Sequence, residues 1–374
     1  MAGIYLHIPF CKQACHYCNF HFSTTMGLKA SYIKALLREI ELQKDYLQGE
    51  SIETIYFGGG TPSLLESETI IEILVAIHRH YKVENAEITL EANPDDLSLA
   101  KLKGLYDSGI NRLSIGVQSF HDVDLELMNR SHNGREALSC IEDALAVGYS
   151  NLSVDLIFGN TTTTHQMWEE NLKMIVKYDI SHLSCYSLTI EEKTAMASMI
   201  KKHKTPSPED DTAAQQFRMA VAFLESNGYE HYEISNYAKD KKYSKHNTNY
   251  WRRVHYLGLG PSAHSFNGTS RQWNVAHNKK YIDCIMENEI PHKIESLTSG
   301  DLYNEYIMTG LRTKWGCDAS IIKEKFPEQA STFENEIKLL IQQDLILQNG
   351  TNYTLANEGK FIADHIISQL FHTE

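Results

Sequence analysis

Three cysteines lie close together near the start of the chain. Cys11, Cys15 and Cys18 stand in the run CKQACHYC, at intervals of four and three residues. Three thiolates can hold three irons of a [4Fe–4S] cluster and leave the fourth iron open to another ligand. A structural zinc ion would need a fourth protein ligand, from a nearby histidine or a distant residue. A thiol redox pair would need only two cysteines. The spacing favours the cluster, and zinc stays an open alternative.

A glycine-rich run, GGGTP from Gly58 to Pro62, follows the second predicted strand. Because glycine lacks a Cβ atom, such a backbone can approach a ligand closely and offer it amide and carbonyl groups. A triple glycine alone is more typical of a turn. Together with the cysteines it indicates a cofactor-binding loop.

Six short β-rich runs alternate with stretches of helical periodicity in the first part of the chain. The runs are IYLHI, TIYFG, EITLEA, RLSIGVQ, NLSVDLIFG and HLSCYSL. Because each connection is long enough to be a helix, the strands should be parallel. A doubly wound open sheet is the alternative, but no GxGxxG follows the first strand. We predict an α/β fold with a partial (β/α)6 barrel.

Polar or glycine-rich residues gather where the predicted strands end. These positions are Cys11 to Cys18, Gly58 to Thr61, Glu91, Gln118 and Asp155. Parallel α/β folds place their chemistry at this edge. Taken singly, Glu91 and Asp155 could each be helix N-cap residues. Their convergence with the cysteines favours a shared ligand site.

Composition limits the classes of function. The 374-residue chain has a net charge of −13, a 42% hydrophobic fraction and seven cysteines. An acidic chain argues against nucleic-acid binding, since phosphate contacts need clustered Lys and Arg. No stretch reaches the roughly 18 apolar residues that cross a membrane, and the N-terminus lacks a signal-peptide pattern. An odd cysteine count indicates ligands in a reducing compartment. We predict a soluble, cytoplasmic protein.

Three regions follow from the pattern along the chain. Residues 1–228 form the predicted barrel, and residues 229–295 form an aromatic, Gly- and Asn-rich segment with little periodicity. Residues 296–374 read as three helices, a hairpin with a tight turn at Asn349-Gly350, and a final helix. This order is typical of a winged-helix-like α+β module, and the acidic chain favours packing against the barrel over DNA binding.

The CxxxCxxC motif with an open iron resembles the radical S-adenosylmethionine (SAM) superfamily. In that superfamily the methionine amino and carboxylate groups of SAM chelate the open iron, and an electron from the cluster splits the sulfonium. More narrowly, YLHIPFCKQACHYCNF, YFGGGTPS, EANPDDL, RLSIGVQSF and VDLIFG resemble the family of oxygen-independent coproporphyrinogen III oxidase and its relatives. Asn19-Phe20 in place of a fourth cysteine, and the lack of a long N-terminal segment, instead match the haem-chaperone (HemW) branch of that family.

The resemblance implies a [4Fe–4S] cluster on the three cysteines and SAM beside it. It implies that the first SAM is surrounded by Tyr5, Gly59, Gly60, Thr61 and Glu91. A second set of residues matches positions that the oxidase uses for SAM, several of them for a second SAM molecule: Tyr17, Gln118, Arg130 and Asp155. Carboxylates and amides suit ribose hydroxyls, and arginine suits a carboxylate through paired donors. A surface ion pair is the alternative interpretation of Arg130.

The stretch HNTNYW fits the HNxxYW motif of the haem-chaperone branch. Haem iron accepts a neutral imidazole, and aromatic side chains offer flat contact surfaces to the ring. The resemblance therefore implies His246 as a haem ligand, with Tyr250 and Trp251 as ring contacts. His264 in GPSAHSF remains another candidate ligand. A hydrogen-bonded loop histidine is the alternative interpretation of His246.

Two functions follow from the resemblance. The first is a haem chaperone that passes haem to a membrane haem protein and depends on an electron donor, with the identities of both partners open. The second is an enzyme that oxidatively decarboxylates coproporphyrinogen III to protoporphyrinogen IX. The acidic surface is compatible with a monomer or a homodimer.

Overall fold

Six parallel strands occupy the middle of the main sheet in the computed structural model, which describes residues 1–373. They are β1 (Ala2–Ile8), β2 (Ile52–Gly59), β3 (Val83–Ala92), β4 (Arg112–Gln118), β5 (Leu152–Phe158) and β6 (His182–Ser187). Each pairs with the next in chain order. Branched and aromatic side chains on these strands are buried in one continuous core. The predicted α/β fold with a partial barrel is therefore confirmed.

Helices connect these strands and cover the outside of the sheet. They are α1 (Lys29–Leu42), α2 (Ser67–His80), α3 (Leu99–Asp107), α4 (Asp122–Leu127), α5 (Gly134–Val147), α6 (His165–Lys177), α7 (Ala195–Lys201) and α8 (Asp210–Ser226), with one-turn 3-10 helices at Met26–Leu28, Pro62–Leu64 and Pro94–Asp96. Helix α5 begins with a capping box, in which Asn133 and Glu136 satisfy each other's backbone N–H groups. No helix within residues 1–373 is both long enough and apolar enough to cross a bilayer.

Residues 229–295 extend the same sheet at both edges. Their elements are β7 (Glu230–Glu233), β8 (Asn236–Ala238), α9 (Lys245–Trp251), β9 (His255–Leu259), β10 (His264–Phe266), β11 (Ser270–Asn274), α10 (Asn278–Met286) and β12 (His292–Ser296). Strand β8 pairs with β6, and β9 pairs in parallel with β1. Within residues 1–373 this sheet has twelve strands, and it continues past the boundary predicted at residue 228. Strands of three to five residues are too short to show a clear period of two.

A buried carboxyl group fastens the β9–β11 edge to the barrel. Glu39 on α1 accepts hydrogen bonds from the Tyr281 hydroxyl at 2.6 Å, the Asn274 amide at 2.6 Å and the Gly260 backbone N–H at 2.7 Å. Burial raises the pKa of Glu39, and these three donors oppose that rise. The network joins elements that are more than 200 residues apart, so it fixes this edge of the sheet against α1.

The C-terminal module has a separate core and a small antiparallel sheet. Its elements are α11 (Ser299–Leu311), β13 (Cys317–Asp318), α12 (Ala319–Lys325), α13 (Pro327–Gln342), β14 (Ile346–Asn349), β15 (Asn352–Leu355), α14 (Asn357–Phe361) and α15 (Ala363–Gln369). The winged-helix-like α+β arrangement is as predicted. Two details differ: because Asn349 pairs with Asn352, the turn residues are Gly350 and Thr351, and two short helices replace one final helix.

Candidate functional site

A cavity of about 450 Å³ opens at the carboxyl ends of the barrel strands. It brings together every residue predicted for the cluster and for SAM except Tyr5, which lines a neighbouring cavity. The assembled residues are Cys11, Cys15, Tyr17, Cys18, Gly59, Gly60, Thr61, Glu91, Gln118, Arg130 and Asp155. Parallel strands end at one edge, so residues far apart in sequence meet there.

The cysteine loop between β1 and α1 is fixed against the turn that ends at Arg130. The backbone N–H of His16 donates to Met128 O at 3.0 Å, and Asn129 Nδ2 donates to Ala14 O at 2.8 Å. All three thiols are half-buried. Burial raises the pKa of the Cys11 thiol to about 11, so this thiol is protonated at neutral pH. Metal binding must therefore release a proton there.

The cysteines do not surround a single-ion site. Within residues 1–373, no group of three or more His, Cys, Asp or Glu side chains is arranged to hold one metal ion. The donor set that the cavity does provide is three thiols in one loop. That set fits a [4Fe–4S] cluster with one open iron, and the zinc alternative gains no support from the geometry.

The glycine run after β2 packs directly on the loop that follows β1. Gly59 has a φ of +103°, and a Cβ atom there would lie 2.6 Å from the ring of His7. A Cβ atom on Gly60 would lie 2.6 Å from the carbonyl oxygen of Phe10, whose oxygen also accepts a hydrogen bond from Thr61 N–H at 2.7 Å. Only glycine fits these two positions, which leaves backbone exposed on the cavity wall.

Glu91 lies inside β3, which rules out the helix N-cap interpretation. Its carboxylate accepts hydrogen bonds from Tyr56 OH at 2.8 Å and from Gly59 N–H at 3.2 Å. Burial raises the pKa of Glu91 to about 7, the Tyr56 hydrogen bond opposes that rise, and the charge of Asp155 adds to it.

Asp155 lies inside β5 and faces the same cavity. The Ser114 hydroxyl lies 3.3 Å from each of its carboxylate oxygens. Burial raises the pKa of Asp155 to about 6, although hydrogen bonding to Ser184 opposes the rise. Neither Glu91 nor Asp155 forms a salt bridge with any side chain that the structure describes. Two unpaired carboxyl groups in one cavity suit a cationic ligand or one rich in hydroxyl groups.

Arg130 brings the opposite charge to the same cavity. Its Nη2 donates to Gly116 O and to Asn93 Oδ1, both at 2.7 Å, and its Nη1 lies 3.3 Å from Cys15 Sγ. The buried Nε atom has no hydrogen-bond partner within residues 1–373, and no carboxylate pairs with the guanidinium. The surface ion-pair interpretation is therefore wrong. An unpaired buried donor of this kind fits a ligand carboxylate.

Sequence reasoning missed several residues on the cavity wall. Asn93 accepts a hydrogen bond from Arg130, and Ser114 contacts Asp155. Tyr186 stands near the end of β6 and also lines the cavity. The strand-end signal that selected Glu91 on β3 was also available for Tyr186 on β6.

The residues of the HNTNYW stretch lie elsewhere. His246 on α9 is only 2% exposed, and it does not line either cavity. Its Nδ1 lies 2.8 Å from Thr54 Oγ1, its Nε2 lies 2.8 Å from Tyr250 OH, and its ring stacks on Tyr56 at 4.9 Å. Burial lowers the pKa of His246 to about 3, which keeps the ring neutral. Because of these two hydrogen bonds, neither ring nitrogen of His246 is free to bind a metal.

Tyr250 and Trp251 line a second cavity, of about 640 Å³, together with Tyr5. Asn19 and Phe20, which directly follow the cysteine motif, line both cavities. The two cavities are therefore neighbours, separated by the end of the cysteine loop.

Comparison with known proteins connects this geometry to a family. Residues 5–175 match the radical SAM superfamily, and residues 297–362 match the HemN C-terminal domain. The heme chaperone HemW of Bacillus subtilis is 34% identical over 98% of this chain and 98% of its own length. The chain belongs to the HemW family. The HemW protein of Haemophilus influenzae is 32% identical over 100% of this chain and 98% of its own length. The motif resemblance is thereby confirmed.

A solved structure supports the fold of this HemW-family chain. Coproporphyrinogen III oxidase (HemN) from Escherichia coli, a radical SAM enzyme, superposes with a TM-score of 0.85 over 99% of this chain and 90% of its own. At 23% sequence identity this match establishes the fold alone. It includes both the partial barrel and the winged module.

Proposed function

We propose that this chain is a radical SAM haem chaperone, which binds haem and passes it to a haem-requiring membrane protein. The observation that carries the proposal is the single cavity in which three cysteine thiols meet two unpaired carboxyl groups and an arginine with a free donor. Relatives named heme chaperone HemW, which align along the whole chain, supply the haem function.

Each group of residues has a proposed role in the cavity. Cys11, Cys15 and Cys18 hold the cluster, and the backbone of the glycine run offers hydrogen-bonding groups to SAM. Glu91 and Asp155 accept hydrogen bonds from cationic or hydroxyl groups of SAM, and Gln118 and Tyr17 complete the wall with them. Arg130 binds a carboxylate. When bound, the cluster and SAM would supply one-electron cleavage of a sulfonium bond.

Haem is the proposed cargo of the second cavity, where Tyr250 and Trp251 provide flat aromatic surface. The sequence prediction that His246 ligates the iron requires its ring to give up one of its two hydrogen bonds. We further propose a cytoplasmic location and an electron donor of unidentified type. A homodimer remains a prediction that sedimentation velocity would test.

The second candidate function is oxidation of coproporphyrinogen III, which the HemN fold match favours. One experiment separates the two. The protein is reconstituted anaerobically, reduced, and incubated with SAM and coproporphyrinogen III, while a parallel sample is titrated with haem. Saturable haem uptake without protoporphyrinogen supports the chaperone. Formation of protoporphyrinogen only when SAM is present would refute the chaperone proposal and favour a coproporphyrinogen III oxidase.

A further inference from the structure

The second cavity is bounded by the sheet edge at β1 and β9–β11, by the end of α9 and by α11 of the C-terminal module. Aromatic and apolar side chains cover much of its wall: Phe20, Tyr250, Trp251, Tyr256, Phe266 and Met308. Its volume of about 640 Å³ falls in the range of roughly 300–1,000 Å³ that is usual for sites of small molecules and cofactors. The cavity is thus large enough for a cofactor-sized ligand with substantial apolar surface.

Three histidines line this cavity, and they differ in whether their ring nitrogens are free. His7 uses Nδ1 with Tyr5 OH at 3.2 Å and Nε2 with the carbonyl oxygen of His21 at 2.8 Å. His21 uses only Nε2, with Asn278 Oδ1 at 2.7 Å, so its ring is half satisfied and is held by that bond. The ring of His264 makes no hydrogen bond to any residue in the range 1–373. His264 is exposed at the cavity and packs nearly parallel to Trp273, with ring centres 6.1 Å apart.

The surroundings of His264 favour a neutral ring. Burial, and then the nearby positive charge of Arg271, lower the pKa of His264, so the neutral imidazole is the favoured form. A neutral ring with a free lone pair is the form that binds iron. His264 is the first residue of β10, which pairs with β11. This pairing places His264 opposite Trp273 and so holds the ring at the cavity wall.

Two arginines on the same wall share one carboxylate. Arg271 Nε lies 2.6 Å from Glu305 Oε1, and Arg253 Nε lies 3.7 Å from Glu305 Oε2. The buried Arg253 Nε has no hydrogen-bond partner within the described chain. Among the residues that line the cavity, two guanidinium groups face one carboxylate, and the Glu295 carboxylate opposite Arg271 on β12 lies outside the cavity wall. Arginine is the side chain best suited to bind carboxylates through paired donors.

We propose that His264 is the axial ligand of haem in this cavity, and that Arg253 and Arg271 bind the haem propionates. The assignment rests on the proposed haem function and names its ligand. The free His264 nitrogen replaces a water on the ferric iron, with no change of oxidation state. His246 then has a structural role, because it orients Tyr250, which faces the ring. This accounts for the difference between His246, whose two ring nitrogens both have hydrogen-bond partners, and His264, whose ring has none in the described chain.

The test is a ferric haem titration of the full chain, followed by its Soret absorption and low-temperature EPR. The variants are His264→Ala and His246→Gln. Glutamine is chosen at position 246 because its amide can still hydrogen-bond to Thr54 and Tyr250 in that buried site. We expect His264→Ala to lose the histidine-ligated spectrum. Its affinity for haem should fall by at least roughly 10- to 100-fold, because losing even a residue that only supports a metal ligand has an effect of that size. Added imidazole should restore the Soret band in His264→Ala. His246→Gln should keep the histidine-ligated spectrum.

Each result has a distinct meaning. If the unaltered protein takes up no haem, the proposed function and the ligand assignment both fail. If it binds haem and His264→Ala binds it with the same spectrum and affinity, only the ligand assignment fails. Loss of the spectrum in His246→Gln alone would make His246 the ligand instead. Arg271→Gln should weaken the binding of haem but not of haem dimethyl ester, whose propionates carry no charge. Equal weakening of both ligands would refute the assignment of Arg271 to the propionates.

Discussion

Glu91→Gln should stabilise the ligand-free protein at alkaline pH while it removes a cofactor contact. The Glu91 side chain is half-buried at the cavity wall and has no cationic partner in the described chain, and its pKa is raised from 4.5 to about 7, chiefly by burial. Because the folded-state pKa lies above the unfolded value, ionising Glu91 destabilises the fold. That penalty is absent well below pH 4.5 and fully present above about pH 7. Glutamine imitates the protonated carboxyl group and never carries the charge.

The size of the effect follows from the pKa. The rise from 4.5 to about 7 corresponds to about 3 kcal/mol, since each factor of ten in proton affinity is worth about 1.4 kcal/mol. Between pH 5 and pH 8 the advantage of the variant should grow by about 2.5 kcal/mol. The glutamine side chain would also lose one of the two acceptor contacts, to Tyr56 or to Gly59, at about 1 kcal/mol. That loss does not depend on pH, so it cancels in the comparison of the two pH values.

The assay is thermal unfolding of cluster-free, SAM-free protein at pH 5 and pH 8, for the unaltered chain and for Glu91→Gln. With an unfolding entropy of about 2.1 cal/mol/K per residue, the predicted difference is about 3 °C in Tm, provided that the chain unfolds cooperatively. Carbon-13 NMR of labelled glutamate would report the pKa of Glu91 directly. An equal change of Tm at both pH values, or a Glu91 pKa near 4.5, would refute the reasoning.

Three further outcomes are expected. Cys15→Ala should abolish retention of iron and sulfide after anaerobic reconstitution, because two thiols cannot hold a cubane whose fourth corner is exchangeable, whereas Cys284→Ala should retain both; equal iron content in the two variants contradicts the cluster assignment. SAM affinity, measured by anaerobic calorimetry, should be roughly tenfold weaker at pH 6 than at pH 8, because protonation of a group with a pKa of about 7 removes a negative charge that favours a cationic ligand; a flat profile would separate Glu91 from SAM. Gly59→Ala, at a φ of +103°, should destabilise the fold by about 1–2 kcal/mol from backbone strain alone and weaken SAM binding, while Gly27→Ala, with open space around it, should do neither.

The strand–helix alternation and the chemistry at the strand ends were readable from local pattern. A buried parallel strand reads as a near-continuous run of apolar and β-branched residues, and polar or glycine residues gather around its carboxyl end. Cys11 and Glu91 could therefore be placed at one edge without knowing any contact between them, whereas Asp155 lies in the middle of β5 and reaches the cavity from within the strand. The prediction missed Tyr186, although it carries the same signal.

Contacts between distant segments were decided only by the tertiary structure. Residues 229–295 join both edges of the sheet through strands too short to show their period. His246 and His264 both stand in aromatic, polar stretches, so their local sequence cannot rank them. Packing buries His246 between Thr54 and Tyr250 and leaves His264 facing a cavity. For the barrel, local sequence determined the order of strands and helices, while hydrogen-bond partners and burial depend on residues that only the folded chain brings together.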